Sequence, residues 1–184
     1  MLGTRLYRLS PSGRAATCAS HHSRSWTCES AVLEAWHHPE SEKLWCEKID
    51  VGEPEPREVA TGVRAHYSSA NELEGRKVAV VCNLKPAKLA GFASNGMLLC
   101  AASEDSARVE FVEPPEAAEP GERICCEGFL SEPATPNQVK RKKLLDECFP
   151  DLRVVDGVAT YRGVPLGTSA GPCTVRTITS GPVR

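Results

Sequence analysis

Hydrophobic and polar positions along this chain fall into short apolar runs separated by turn residues, at spacings too short for β-α-β crossovers. LWCEKIDVG alternates Leu44, Cys46, Lys48 and Asp50 on one side with Trp45, Glu47, Ile49 and Val51 on the other, and Gly52 and Pro54 end it. EVATGV, KVAVVCN, MLLCAAS, RVEFV and ERICCEG follow, divided by Glu53–Pro56, Asn71–Gly75, Pro114-Pro115 and Glu119–Gly121. About six short strands with one helical turn near Ser69–Glu74 predict a mainly β fold, a five-stranded Greek-key barrel. Further on, Thr135 is placed to cap a helix with Pro136 at its first position. Asn137–Phe149 supplies an apolar side of Leu144, Leu145, Cys148 and Phe149, and Pro150 stops it. Asp156-Gly157 and Arg162-Gly163 predict turns around the short strands VATY and GVPLG. The expected organisation is an N-terminal segment over 1–30, a barrel over 31–130 and a small α+β part over 131–184.

Charge sharpens the picture locally. Gly75–Ser103 contains no acid, and it holds Arg76, Lys77, Lys85 and Lys88 with Asn83, Ser94 and Asn95 among them. Cations not cancelled by neighbouring carboxylates, with amides and hydroxyls between them, are what a phosphate-binding face needs. Formal net charge is only -2, and acids crowd Glu40–Glu58 and Glu104–Glu132, so a polyanion is expected on one face alone. A second basic cluster, Lys140, Arg141, Lys142 and Lys143, falls near the start of the predicted helix, where cations oppose the dipole and an external anion would relieve them.

The wording of the acid-free segment is specific. NLKPAK followed by G-x-x-S-x-G-M (Gly91, Ser94, Gly96, Met97) resembles the signature of the tRNA-binding domain of the endothelial monocyte-activating polypeptide II type, found in aminoacyl-tRNA synthetases and their accessory proteins. His37–Val63 is similar to the family's His-Pro entry and its second and third strands, and Pro150–Gly167 to the extension of the eukaryotic accessory proteins. The resemblance spans roughly residues 31–180. It departs from the family at Trp26–Val32, WTCESAV, where members begin strand one with Leu-Asp-x-Arg-Val-Gly.

The resemblance implies an OB-fold barrel whose partners are tRNA and an aminoacyl-tRNA synthetase. It implies RNA contacts from Asn83, Lys85, Lys88, Ser94, Asn95 and Met97, to which the charge pattern adds Lys140, Arg141, Lys142 and Lys143. Lys85 and Lys88 neutralise phosphates, Asn83 and Ser94 bond sugar or phosphate oxygens, Met97 anchors the loop or touches a base, and Gly91 and Gly96 allow the backbone turns. Phe92 is read as core, so no base-stacking platform is expected. The extension implies a monomeric core, since bacterial relatives lacking it are dimers. A second reading is a protein-interaction subunit of a multi-synthetase assembly, or the precursor of a cytokine-like fragment.

Other chemistry finds little support. Ser94 in G-F-A-S-N-G misses the nucleophile elbow by one position, and His38-Pro39 reads as a turn closing strand one with the ring hydrogen-bonded, so no enzyme is expected. Phosphate-cradling glycine loops are missing, so no cofactor is expected. Nine cysteines without a C-x-x-C pair argue for small buried hydrophobes in a reducing compartment, with neither metal nor disulfides. No apolar run approaches the roughly 20 residues of a membrane-crossing helix, and no membrane partner is expected. Residues 1–28 carry four Arg and no acid, a disordered or transit-peptide-like composition, so a cytoplasmic location is expected with a mitochondrion or plastid as the alternative.

Overall fold

Four strands, β1 (Thr27–His37), β2 (Trp45–Asp50), β3 (Arg57–Thr61) and β4 (Lys77–Val81), build the first half of the computed structural model, which describes residues 27–129 and 133–184. The transit-peptide reading of residues 1–28 lies almost wholly outside the described residues. WTCESAV, the segment that departs from the family's usual strand-one wording, enters β1 at Thr27, and β1 is one continuous strand of 11 residues. It serves three neighbours, β2, β4 and, through Thr27 and Cys28, the strand Arg123–Cys126, and its register against β2 shifts between Val32 and Glu34. Thr27–Ala31 pair with β4, and Ala31–His37 pair with β2. Such a bulge bends a strand and re-aims it, and the bulged Leu33 is 53% exposed beside a buried Val32. β3 then pairs along β2, Trp45 opposite Thr61 and Ile49 opposite Arg57.

Next come β5 (Ala87–Leu89), β6 (Phe92–Ser94), β7 (Met97–Leu98), β8 (Cys100–Ala102), β9 (Val109–Phe111) and β10 (Arg123–Cys126). MLLCAAS is thus two strands, one on β4 and one on β9. The C-terminal part adds two helices, α1 (Pro136–Lys142) and α2 (Leu144–Cys148), and five strands: β11 (Leu152–Val155), β12 (Val158–Tyr161), β13 (Val164–Thr168), β14 (Gly171–Pro172) and β15 (Ser180–Pro182). All strand pairs are antiparallel, so the protein is mainly β with few helical residues. Asp156-Gly157 and Arg162-Gly163 all have positive φ, as two-residue hairpin turns require.

KVAVV is a continuous apolar run because β4 is a wall between two cores. Strand side chains alternate faces, so Val78 and Val80 join Val32, Trp45, Ile49, Val59, Leu73 and Phe111 on one side. Ala79 and Val81 join Leu99, Ala101, Val112 and Ile124 on the other, together with Leu152, Val154, Ala159, Cys173, Ile178 and Val183 of the C-terminal part. The extension is therefore half of a shared core. β13 pairs with β10, Arg184 and Cys100 exchange both backbone hydrogen bonds, and so do Thr174 and Glu113. A Cβ on Gly181 would lie 1.9 Å from the Ala102 carbonyl oxygen, so only glycine allows this approach of β15 to β8.

Two expectations change. Asn137–Phe149 is not one helix, because Lys143 takes a left-handed conformation (φ 50°) and separates α1 from α2. Phe92 belongs to neither core cluster. It is half-buried and meets Trp36 and His38 edge-on, each at 6.0 Å between ring centroids.

Candidate nucleic-acid interface

The polar segment after β4 is itself a hairpin. β5 and β6 pair through Ala87–Ser94, Lys88–Ala93 and Leu89–Phe92, and Ala90 (φ 48°) and Gly91 (φ 87°) make the two-residue turn. Gly96 has another role, since its φ is not positive and a Cβ there would sit 3.1 Å from the Val80 side chain. Arg57 staples the base of the hairpin. Its Nη1 donates to the Cys82 carbonyl at 2.7 Å and to the Asn95 carbonyl at 2.9 Å, while Nε and Nη2 pair with Glu53. Nothing in the sequence singled out Arg57, which stands among acids in a strand.

Ser94 is 4% exposed, accepts from the Ala60 N–H at 3.1 Å and donates to the Gly96 carbonyl at 3.1 Å. Its buried hydroxyl holds the hairpin to β3. Asn95 adds a backbone bond to the Glu58 carbonyl at 2.8 Å. Met97 is half-buried against the shared core. Asn83 is half-buried too, and its Nδ2 donates to the Ala134 carbonyl at 2.9 Å, one residue before the Thr135 cap of α1. That bond ties the hairpin to the helices 51 residues on.

Capping at Thr135 is as predicted: its Oγ1 accepts from the Gln138 N–H, and Gln138 returns a bond to the Thr135 N–H. Three of the four cations are not at a helix start, however: Lys140, Arg141 and Lys142 occupy the last turn of α1, where the negative end of the helix dipole supports them, while Lys143 both ends α1 and precedes the first residue of α2.

Hairpin and helices enclose a cleft of about 350 Å³. Leu84, Lys85, Pro86 and Ala87 form one wall; Pro136, Val139, Lys140, Lys143, Leu145 and Asp146 form the other. Three of the expected cations thus converge, from two clusters far apart in the chain, against one acid. Lys88, Arg141 and Lys142 are exposed but do not line the cleft. Arg76 and Lys77 leave the candidate set. Arg76 pairs with Glu113 at 2.5 Å, its guanidinium over Tyr67 and Phe111, and Lys77 donates to the Glu116 and Ala118 carbonyls. At the far end of β1 the His38 ring accepts from the Glu40 N–H, as the turn reading expected.

Among known proteins, the family model described as "Putative tRNA binding domain" matches residues 30–123, just over half of the chain. The chain belongs to this family. A probable methionine–tRNA ligase of Oryza sativa subsp. japonica is 42% identical over 154 residues, 83% of this chain and 19% of that protein. The aminoacyl tRNA synthase complex-interacting multifunctional protein 1 of Mus musculus is 36% identical over 155 residues, 83% of this chain and 49% of that protein. The chain therefore spans about a fifth to a half of these curated relatives. Among solved structures, the C-terminal domain of Plasmodium vivax p43 superposes with a TM-score of 0.78 at 31% identity, over 88% of this chain and 97% of that one. A MetRS-related protein from Pyrococcus horikoshii gives 0.51 at 34% identity over 55% of this chain and 90% of that one. The family match ends at Arg123, within β10, whereas the p43 match is long enough to include part of residues 131–184. The tRNA-binding domain here thus carries the cleft's second wall from outside the matched segment.

Proposed function

We propose that this chain is a non-catalytic module that binds tRNA by shape, with phosphates on Lys85, Lys140 and Lys143 around the cleft and on Lys88, Arg141 and Lys142 beside it, and that it serves an aminoacyl-tRNA synthetase in the cytoplasm. The observation that carries this reading is the convergence of Lys85 with Lys140 and Lys143 in one cleft of an otherwise acidic chain. RNA duplexes offer proteins mainly phosphates and 2′-hydroxyls, so cations held at fixed separations select a folded shape without reading sequence. Asn83, Ser94, Asn95 and Met97 act beneath that surface by shaping and seating the hairpin.

In this reading β1–β4 and β7, which pairs with β4, are the five strands of an OB-fold Greek-key barrel over 31–130, and residues 131–184 are the extension that completes both the core and the cleft. The extension covers one side of β4 through the shared core, and by the resemblance it takes the place of a second subunit, which supports a monomer. The names of the relatives, methionine–tRNA ligases, a tyrosine–tRNA ligase called cytoplasmic and a complex-interacting protein, support a synthetase partner and the cytoplasm.

The test is a titration of unfractionated tRNA against a single-stranded RNA of equal length, using wild type and Lys85→Ala/Lys88→Ala. Preference for tRNA, reduced in the variant, is the expected result. Weak and equal binding by both proteins would refute it and put the protein-interaction subunit first.

A further inference from the structure

Phosphate recognition uses the rim of the cleft, and the apolar residues between the lysines, Leu84 and Leu145 among them, are only partly taken up by packing against the shared core. We propose that the cleft takes one unstacked nucleotide of the bound RNA, its base against Leu84, Pro86, Val139 and Leu145 and its flanking phosphates on Lys85, Lys140 and Lys143. The inference rests on the tRNA-binding reading and names the piece of RNA that enters the site.

Size comes first. A volume of about 350 Å³ lies at the small end of the roughly 300–1,000 Å³ of small-molecule sites, room for a single nucleotide and none for a duplex. Chemistry is the second argument. A base swung out of its stack has two apolar faces to cover, and here apolar walls stand on both sides, one from the hairpin and one from the helices. Its two phosphates match a rim of three lysines and one carboxylate, Asp146. Rigidity is the third: Asn83 ties the hairpin to the start of α1, and the buried Val139 anchors that helix, so the two walls are fixed relative to each other before RNA arrives. A preformed slot spares the ordering cost at binding.

Ala87 lines the cleft from an exposed position of β5, so a large side chain there fills the slot while every lysine stays in place. Ala87→Trp and the smaller Ala87→Leu are compared with wild type by fluorescence anisotropy on three labelled RNAs: tRNA, a single-stranded octamer and a blunt-ended duplex. Melting temperatures are taken alongside, and Ala87→Leu carries the test if the Trp variant is less folded. Ala87→Trp should weaken tRNA and octamer binding about tenfold, within the range for removing one stacked base, with Ala87→Leu weakening less and the duplex unchanged. Wild-type binding of tRNA by both variants, or an equal weakening on all three RNAs, would overturn the inference. Lys85→Ala/Lys143→Ala separates the two readings. If it weakens tRNA binding and Ala87→Trp does not, only the nucleotide slot fails; if neither does, the cleft as the tRNA site fails as well.

Discussion

Replacing Glu47 by glutamine should change how stability depends on pH. Glu47 lies on β2 with no exposed surface, its Oε2 accepting from Thr61 Oγ1 at 2.6 Å, while Oε1 has no partner among the described residues. Burial pushes its carboxyl up from the ordinary 4.5 to about 8, against the smaller lowering effect of the Thr61 bond. The sign follows from linkage. Below pH 4.5 both folded and unfolded chains hold the proton, and the contribution to stability is complete. Between 4.5 and 8 the unfolded chain releases a proton that the folded chain keeps, so stability falls by about 1.4 kcal/mol per pH unit. Above 8 both forms are ionised and the decline levels off at roughly 5 kcal/mol, comparable with the whole stability of a small domain. Glutamine keeps the shape and the acceptor for Thr61 but does not titrate. Urea unfolding of both proteins at about pH 5, 6.5 and 8 isolates Glu47, since all other groups cancel in the difference. Glu47→Gln should gain several kcal/mol on wild type between the first and last of these. A difference that does not vary with pH would refute the reasoning.

Other predictions concern the cleft and its support. Lys143→Gly should raise stability by about 1 kcal/mol, because lysine is strained at φ 50°, yet weaken tRNA binding; urea melts and a tRNA titration check the two effects. Ser94→Ala should leave the affinity of the folded protein for tRNA unchanged but cost roughly 1–3 kcal/mol by orphaning the Ala60 N–H, read by the same pair of measurements. Gly181→Ala should cost at least about 3 kcal/mol and loosen the extension, seen as faster hydrogen exchange over β11 and β15, because its Cβ has no room beside Ala102.

Much of the fold was legible because it is written locally. Asp156-Gly157 and Arg162-Gly163 give their turns directly, the Thr135-Pro136 pair gives a helix start, and KVAVVCN reads as a strand, although its burial on both faces emerges only from the fold. The break at Lys143 was not legible, since no glycine or asparagine marks the left-handed residue. The cations were found, but their positions on α1 depend on where that helix ends. Arg76 and Lys77 counted as free because Glu113 and the Glu116 and Ala118 carbonyls that engage them lie 37 to 41 residues away. Ser94 and Asn83 were read as ligand groups from their chemistry, while their bonding to Ala60 and Ala134 is a product of folding. Leu84, Pro86, Val139 and Leu145 form a cleft only once two distant segments face each other.

The salt dependence of tRNA affinity tests the central claim most directly, comparing wild type with Lys85→Ala/Lys140→Ala/Lys143→Ala. Every phosphate that the protein no longer neutralises should flatten the plot of log affinity against log salt by about 0.7 to 0.9, so the account predicts weaker binding and a slope shallower by roughly 2 to 3 in the variant. Equal slopes and equal affinities would contradict it, because the cleft lysines would then carry none of the RNA.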